Sequence, residues 1–407
     1  MRDVDAAGLG IGDGHPTRIM GVLNVSSESP YSPSVFDDPG EAAEYVDTEL
    51  LDEGADIVDV GLESANKRFD VLTAEQELDR LDLALETLES TSGDAIWSIE
   101  TRYHEVAEAA IEGGFDMVND ICGFADPELP RVCEEYDVAV AKMASPPDLE
   151  RPGAVEETPW DERKGAGWAD TADYVDMVYE ALKQNGLTDK TIVDPAFGGW
   201  SEAQTTEQDR ETFRRLREFR ALGQPILVSI NRKNFLRELT ERSTEQALSV
   251  SLAATSMAIE RGAHVIRTHD VRETVDAAAV GDAFTPARTR ETTGGELGDV
   301  TVEELDVQTT DDVARHAERV GAGDVAADAT MVVLEVSGLT PRQADRLSLL
   351  AAATSATFAS GTTPAEDAAA TSGLLVGTAR ALSRLADESP GDETLAWVLE
   401  TVAATVE

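Results

Sequence analysis

Between residues 18 and 285 the chain repeats one pattern of hydrophobic and polar positions. A short apolar run rich in valine and isoleucine ends in polar residues, and an amphipathic stretch follows. Short apolar runs of this kind are typical of buried strands, whereas apolar residues three or four positions apart are typical of helices. The pattern predicts eight strands, at residues 19–25, 55–61, 96–100, 117–121, 138–143, 191–195, 226–230 and 265–269. It predicts helices at residues 41–54, 73–88, 105–113, 172–185, 206–222 and 245–262.

Eight strands that alternate with helices over this length predict an α/β protein with a (β/α)8 barrel, also known as a TIM barrel. A doubly wound open sheet is the alternative. It is disfavoured because no Gly-x-Gly-x-x-Gly motif follows the first strand. The long connection at residues 144–170 comes after the fifth strand and contains proline and glycine, and we predict that it is an active-site loop or lid.

The remaining sequence predicts a second, smaller domain. We expect the barrel at residues 1–285, a linker rich in threonine, glycine and glutamate at 286–300, and a small α/β domain at 301–407. In that last stretch the pattern predicts strands at 302–307 and 331–336, a helix at 310–320, and further helices that begin at Pro341 and Pro364. No chemistry is evident there, so packing or oligomerisation is the role we expect. A homodimer is the oligomeric state that we expect.

The composition adds a strong charge imbalance. The chain has 407 residues, with 80 acidic and 33 basic side chains and a formal net charge of −47. This excludes nucleic-acid binding as a main function and disfavours binding to an anionic membrane surface. Molar salt shortens the Debye length to about 3 Å and screens such self-repulsion, so we interpret the charge as halophilic, with an ordinary acidic enzyme as the alternative. Two cysteines and no signal-peptide pattern predict a soluble, cytoplasmic protein.

Polar residues stand at the ends of seven of the eight predicted strands. A turn or a helix cap explains any one of them, but not the whole set, and a (β/α)8 barrel has its active site at these ends. The sequence shows neither a Ser-His-Asp order nor a His/Cys cluster with metal-ligand spacing, so a protein nucleophile is not indicated. The strand-end residues are Asn24, Glu63-Ser64, Glu100-Thr101-Arg102, Asn119-Asp120, Asp194-Pro195, Asn231-Arg232-Lys233 and Arg267-Thr268-His269-Asp270.

These side chains offer two kinds of binding chemistry. Carboxylates and an amide can accept hydrogen bonds from the donor-rich edge of an amino-oxo pyrimidine ring. Cationic side chains suit a phosphate or diphosphate. A flat heterocycle with a diphosphate tail fits both. The acceptors are Glu100, Asn119 and Asp194, and the cationic candidates are Arg232, Lys233, Arg267 and His269.

The strand-end motifs, taken together, are similar to those of dihydropteroate synthases and their pterin-binding relatives. The similarity extends from residue 18 to about residue 283, and every motif lies at a strand end. The motifs are MGVLNV at 20–25, GADIVDVG at 54–61, Glu63-Ser64, SIET at 98–101, NDICG at 119–123, Asp194-Pro195, NRKNF at 231–235 and RTHDV at 267–271.

The resemblance implies a transfer without a covalent enzyme intermediate. The amine of p-aminobenzoate, or of a related arylamine, displaces diphosphate from the hydroxymethyl-dihydropterin carbon and gives dihydropteroate, a step of folate biosynthesis. By this similarity the pterin-binding residues are Glu100, Asn119, Asp194 and Lys233. The diphosphate-binding residues are Asn24, Arg267 and His269, and Asn24 also reaches a Mg²⁺ ion. The residues expected to act in catalysis are Lys233, Arg267 and His269.

The chain departs from the family pattern in the two loops that assemble the arylamine pocket. The first loop reads NVSSESP at 24–30 where the family has NVTPDSF, and the second reads ESANKR at 63–68 where the family has ESTRPG. Glu100 stands where an aspartate is usual, and Asn234 where a serine is usual. Two alternatives therefore stay open: a pterin-dependent methyltransferase that passes a methyl group to a corrinoid protein, and a non-catalytic pterin-binding paralogue.

Overall fold

The computed structural model describes residues 2–26, 32–63, 71–286, 294–297, 300–323, 325–360 and 371–406. The chain divides into two compact units, Met1–Asp306 and Val307–Glu407. Among the described residues no helix combines the length and the hydropathy needed to cross a membrane.

The first unit is built around a parallel eight-stranded sheet, and the predicted (β/α)8 barrel is confirmed. Two short strands, β1 (Val4–Ala6) and β2 (Leu9–Ile11), precede it. The sheet order is β8-β7-β6-β5-β4-β3-β10-β9, and a parallel bridge between Val193 and Ile226 joins the two end strands. The barrel strands are β3 (Arg18–Asn24), β4 (Ile57–Gly61), β5 (Ile96–Thr101), β6 (Met117–Asp120), β7 (Ala139–Met143), β8 (Thr191–Asp194), β9 (Leu227–Val228) and β10 (Val265–Thr268).

The antiparallel β1–β2 hairpin closes the amino-terminal end of the barrel. Its buried Val4, Ala6 and Ile11 belong to one apolar cluster with residues from the beginnings of the barrel strands, among them Met20 and Ile57. The repeat pattern did not predict this hairpin, because the segment lies outside the repeats and is only a few residues long. In (β/α)8 barrels the active site lies at the other end, at the carboxyl ends of the strands.

Helices follow the strands, as the pattern predicts. The predicted helix at 41–54 is α1 followed by a π-helical turn at Val46–Leu51, and the helix at 206–222 is α8 followed by a 3₁₀ segment at Leu216–Leu222. The helices are α1 (Pro39–Tyr45), α2 (Ala74–Ser90), α3 (His104–Glu112), α4 (Leu129–Glu135), α5 (Trp160–Lys164), α6 (Ala166–Ala169), α7 (Tyr174–Lys183), α8 (Thr206–Arg214), α9 (Asn234–Thr240), α10 (Leu248–Glu260) and α11 (Val271–Phe284).

The long connection at residues 144–170 contains α5, α6 and a 3₁₀ turn at Val155–Glu157, so it is an ordered part of the barrel. Lys142, near the end of β7, contacts the end of α7, the helix that follows this connection. It is fully buried and donates hydrogen bonds to the carbonyls of Leu182, Gln184 and Gly186 at 3.0, 2.6 and 2.7 Å. Leu182 is in the last turn of α7, and Gln184 and Gly186 follow the helix. Because carbonyls at a helix end lack partners within the helix, Lys142 caps this end of α7.

The region after the barrel contains two small sheets. The hairpin of β11 (Gly294–Leu297) and β12 (Val300–Glu303) lies in the first unit. The second unit has a three-stranded antiparallel sheet in the order β13-β15-β14. The predicted helices at 310–320 and from Pro341 are present, whereas Pro364 lies outside the described residues. The described elements of the second unit are α12 (Thr310–Val320), α13 (Ala326–Ala329), β13 (Met331–Leu339), α14 (Pro341–Ala353), β14 (Thr357–Ser360), β15 (Thr371–Thr378), α15 (Ala379–Ala386) and α16 (Glu393–Val406).

Candidate functional site

The strand register brings two of the predicted acceptors, Glu100 and Asn119, into one row with Asn24 at the carboxyl end of the barrel. Asn24 of β3 is the register partner of Gly61 in β4, Gly61 of Glu100 in β5, and Glu100 of Asn119 in β6. Gly61 is essential to this row, because a Cβ atom there would lie 3.1 Å from Asn24 Oδ1 and 3.9 Å from Glu100 Oε1. The missing side chain leaves an open space between two oxygen atoms.

A buried carboxylate lies one layer below this row and orients the groups above it. Asp59 of β4 is fully buried and accepts hydrogen bonds from Ser98 Oγ at 2.7 Å, Asn119 Nδ2 at 3.0 Å and Arg267 Nε at 2.7 Å. Arg267 also donates to Glu100 Oε2 at 2.6 Å. Our sequence analysis missed Asp59 as a site residue. A single acid inside the apolar run of β4 is the signal that would have found it.

Three acceptors remain for a ligand at this mouth. The amide nitrogen of Asn119 is already bonded, so its oxygen is the atom that can accept a hydrogen bond. One oxygen of Asp194 accepts from the backbone N–H of Ala196 at 2.8 Å, and the other carries no hydrogen bond within the described residues. Burial raises the pKa of Asp194 to about 6, so it is mostly ionised at neutral pH. Burial also raises the pKa of Glu100, against the opposing charge of Arg267.

Lys233 supplies a donor near these acceptors, since its charge acts on both Asp194 and Glu100. It is the N-cap residue of α9, and its Nζ lies 5.6 Å from the ring centroid of Trp200. In the described part of the chain no carboxylate lies within ion-pair distance, 4.0 Å, of this amino group. Burial and the nearby charge of Arg267 lower the pKa of Lys233. The amino group is therefore available to a ligand.

A hydrogen-bonded chain joins the first and last strands of the repeat. Asn24 Nδ2 donates to Ser34 Oγ at 2.9 Å, and Ser34 Oγ lies 3.3 Å from His269 Nδ1. Burial, together with the charge of Arg267, lowers the pKa of His269 to about 3. Its imidazole is therefore neutral, and it offers hydrogen bonding at the mouth instead of the positive charge expected from the sequence. The connecting Ser34 was not among the predicted residues.

Arg232 was expected to bind phosphate, but in the structure its guanidinium is bonded to other groups of the protein. Its guanidinium makes two 2.8 Å hydrogen bonds to the carboxylate of Asp270 and another at 2.7 Å to the carbonyl of Thr244. These contacts tie the β9 loop to the β10 loop. Of the predicted cationic side chains, Arg267 and Lys233 are the two that supply positive charge to the row of acceptors.

The two divergent loops are only partly described. Residues 27–31 and 64–70 lie outside the described residues, so the predicted departures in them are untested. Glu63, which begins the second loop, is buried. It forms an ion pair with buried Arg102 and accepts a hydrogen bond from the backbone N–H of Leu72 at 2.8 Å. It therefore links the end of β4 to Arg102, which follows β5, and to the backbone at Leu72.

Among the described residues, a metal ion could bind at the cluster of His104, Glu105 and Asp126 or at Asn24. His104, Glu105 and Asp126 form a close cluster, but Asp126 also accepts the backbone N–H of His104 at 2.9 Å, as a residue does when it caps the start of a helix. Asn24 is the better candidate. Its nitrogen is bonded to Ser34, and its oxygen lies beside the space above Gly61. Hard amide and carboxylate oxygens are ligands that Mg²⁺ accepts, usually with substrate phosphates completing the set.

Comparison with known proteins gives matches over the barrel. The family model described as pterin binding enzyme matches residues 20–269. A bifunctional folylpolyglutamate synthase/dihydropteroate synthase of Halobacterium salinarum is 31% identical over 67% of this chain and 32% of its own length, so the chain spans about a third of that relative. The dihydropteroate synthase of Clostridium beijerinckii is 30% identical over 66% of this chain and 94% of its own length. The crystal structure of dihydropteroate synthase from Thermus thermophilus in complex with 4-aminobenzoate has a TM-score of 0.55 and 28% identity, covering 70% of this chain and 100% of that one.

Proposed function

Because this chain belongs to the dihydropteroate synthase family of pterin binding enzymes, we propose that it condenses a (dihydropterin-6-yl)methyl diphosphate with p-aminobenzoate or a related arylamine. The products are dihydropteroate and diphosphate. The observation that carries the proposal is the arrangement at the barrel mouth. The acceptors Glu100 and Asn119 stand in one row, Asp59 orients Arg267 beneath it, and the charge of Lys233 interacts with those of Asp194 and Glu100.

The acceptors and the lysine suit the two kinds of polar group on a pterin. The amino group and the ring N–H groups of the pyrimidine edge are donors, and they match Asp194, Asn119 and Glu100. The ring carbonyl and the neighbouring ring nitrogen are acceptors, and the amino group of Lys233 supplies the donors that they need. Because these contacts are in a buried site, each mismatch is costly, which gives selectivity for this ring.

The diphosphate end would meet Arg267, Asn24 and His269. Negative charge develops on the diphosphate as its bond to the methylene carbon breaks, and a guanidinium already held in place stabilises that charge without further reorganisation. Neutral His269 can donate or accept a hydrogen bond there. Mg²⁺, if bound, would be held by Asn24 together with the substrate phosphates, and it would supply additional charge neutralisation.

The reaction needs no bond to the protein. The arylamine nitrogen forms a bond to the methylene carbon, the carbon–oxygen bond to diphosphate breaks, and the amine loses one proton to solvent. Carboxylates beside the ring favour the positive charge that develops on the pterin methylene in such a displacement. In this proposal the chain binds both substrates, orients them and stabilises the charges that form.

One observation favours this reaction over methyl transfer to a corrinoid protein. His269 and Asn24 are joined through Ser34, and Arg267 stands beside Glu100 at the same mouth. A methyltransferase has no diphosphate leaving group and so no need for this set. We therefore favour the condensation.

The assay that tests the proposal follows diphosphate release in multimolar KCl with the dihydropterin diphosphate, Mg²⁺ and p-aminobenzoate. We expect release that depends on both the arylamine and Mg²⁺ and that yields an equal amount of dihydropteroate. Hydroxymethyl-dihydropterin without the diphosphate is the matched negative substrate. If the folded protein released no diphosphate with any of a panel of arylamines, the proposed activity would be rejected in favour of a non-catalytic pterin-binding role.

We also propose that the net charge of −47 is an adaptation to high salt. Lowering KCl from multimolar to about 0.1 M lengthens the Debye length from about 3 Å to about 10 Å, so the acidic side chains repel one another over a longer range. We expect the thermal midpoint to fall by roughly 4 °C, which for 407 residues, at an unfolding entropy of about 2.1 cal/mol/K per residue, corresponds to about 3 kcal/mol.

Circular dichroism against a KCl series measures this midpoint. NaCl at equal ionic strength should restore stability as KCl does, whereas sucrose, which does not screen charge, should restore much less. A midpoint that does not depend on salt would contradict the halophilic interpretation.

A further inference from the structure

The segment that connects β8 to α8 is held by a buried side chain outside the substrate-facing row. Asp209 of α8 is buried and accepts hydrogen bonds from Gln204 Nε2 at 2.9 Å and from the backbone N–H of Gly198 at 3.4 Å. Gln204 in turn accepts from the backbone N–H of Trp200 at 2.9 Å. Asp209 therefore fixes the course of this segment at two points, one direct and one through Gln204.

Lys233 lies against the same segment. Its Nζ is 5.6 Å from the centroid of the Trp200 ring, a distance at which a cation is attracted to an aromatic face. A Cβ atom at Gly198 would lie 2.9 Å from that Nζ and 3.4 Å from Cδ of the lysine. Gly198 also has φ of +123°, which side-chain-bearing residues rarely adopt. The glycine backbone and the indole ring thus confine the lysine side chain on two sides.

We propose that Asp209 is a positioning residue for Lys233: it fixes Gly198 and Trp200 against the lysine, and its buried carboxylate favours the ammonium form. This inference rests on the proposed function only where activity is measured. It assigns a role in the site to a helix residue that need not touch either substrate.

Five charged or titratable groups surround the amino group. Burial lowers the pKa of Lys233, and the guanidinium of Arg267 on β10 acts in the same direction. Asp194 on β8, Asp209 on α8 and Glu100 on β5 oppose it. His269 is neutral near pH 7, because burial lowers its pKa to about 3. Burial raises the pKa of Asp209 to about 6, so its carboxylate is ionised above pH 7.

The decisive variant is Asp209→Asn, which keeps an oxygen for Gly198 and Gln204 but removes the charge. The measurement is the titration of lysine ¹³Cε signals by NMR. The chain has only six lysines, and the Lys233 signal is the one that is missing in Lys233→Arg. We expect Asp209→Asn to move the Lys233 titration lower by about one pH unit. The matched control is Glu207→Gln on the exposed face of the same helix, where the carboxylate pairs with Arg214, and it should leave the titration unchanged.

Enzyme kinetics separate the effect of the Asp209 charge from the effect of the contacts that position Lys233. Asp209→Asn should lower kcat/KM by up to about tenfold on the alkaline side of the Lys233 titration and much less on its acid side, because the protonated lysine is recovered at low pH. Asp209→Glu keeps the charge and should restore most of the alkaline activity. Gln204→Leu removes the link to Trp200 and keeps the charge, so it should lower kcat/KM at every pH without moving the titration.

The NMR titration does not depend on the enzyme assay. Absence of the proposed reaction can therefore be distinguished from absence of the proposed effect of Asp209 on Lys233. An unchanged Lys233 titration in folded Asp209→Asn overturns the electrostatic part. Wild-type kcat/KM in both Asp209→Asn and Gln204→Leu overturns the positioning part. Should Asp209→Asn not fold, the Lys233 titration in Asp209→Gln, which is also neutral, decides the electrostatic part, and kcat/KM of Gln204→Leu decides the positioning part.

Discussion

Lys233→Met should reduce turnover to a trace while the barrel stays folded. The substitution keeps an unbranched apolar stem beside Trp200 and removes the donor near Asp194 and Glu100. A preorganised donor of this kind is worth roughly 10²- to 10³-fold in rate, and the lost positive charge beside the pterin adds to that. We therefore expect kcat/KM to fall at least about 10³-fold, in an assay of diphosphate release in multimolar KCl.

The control for this experiment is Lys183→Met, which removes a half-exposed lysine that pairs with Glu180 on α7. It should leave kcat/KM within a factor of about two, because exposed ion pairs contribute little. A separate titration of pterin binding by fluorescence distinguishes two effects of the Lys233 change. Loss of affinity shows that the lysine holds the ground state, and loss of kcat alone shows that it acts in the transition state. Wild-type kcat/KM in Lys233→Met would overturn the assignment of the site.

Asp59→Ala should damage both activity and stability. Asn119 and Arg267 both donate hydrogen bonds to Asp59. Without Asp59, these two side chains are no longer held in the positions that the reaction needs. Removing one partner of a buried ion pair costs about 3–5 kcal/mol. Displacing two binding groups at once should lower kcat/KM at least about 10²-fold. Urea unfolding and the diphosphate assay measure the two effects.

Two variants make the Asp59 result specific. Asp59→Asn keeps the shape and one acceptor oxygen, so it should recover most of the stability but not the activity, since Arg267 then keeps only one of its two charged partners, Glu100. Asp56→Asn weakens an acid–arginine pair with Arg18 at the opposite end of the barrel, and it should leave kcat/KM unchanged. If Asp59→Asn were fully active, Asp59 would be a purely structural residue.

The positions of the strands were predictable because each barrel strand is buried on both faces and therefore reads as a continuous apolar run. All eight runs became strands, with ends that differ from the prediction by two residues at most. The N-terminal hairpin was missed for the opposite reason. Its buried residues, such as Val4 and Ile11, alternate with polar ones over only three positions each. Short alternations of this length carry too little signal to separate a strand from a loop.

The site was predictable as a set of residues but not as a network. Strand ends identified Asn24, Glu100 and Asn119, since parallel strands place their carboxyl ends at one edge. Asp59 could have been noticed as a single acid inside an apolar run, but its partners could not, because they come from other strands. Arg232 was expected to bind phosphate, yet it pairs with Asp270, because the direction of a long side chain depends on carboxylates brought near by the fold.

The sequence alone determined the barrel, the row of polar strand ends and the family, because hydrophobic periodicity and motif order are local properties of the chain. Only the tertiary structure decided the charge and the partner of each group. Burial keeps His269 neutral, Asp59 holds Arg267, and Lys233 makes no ion pair with the described residues. The physical reason is that desolvation and Coulomb energies depend on distances between residues that are far apart in sequence, and these distances exist only once the barrel has closed.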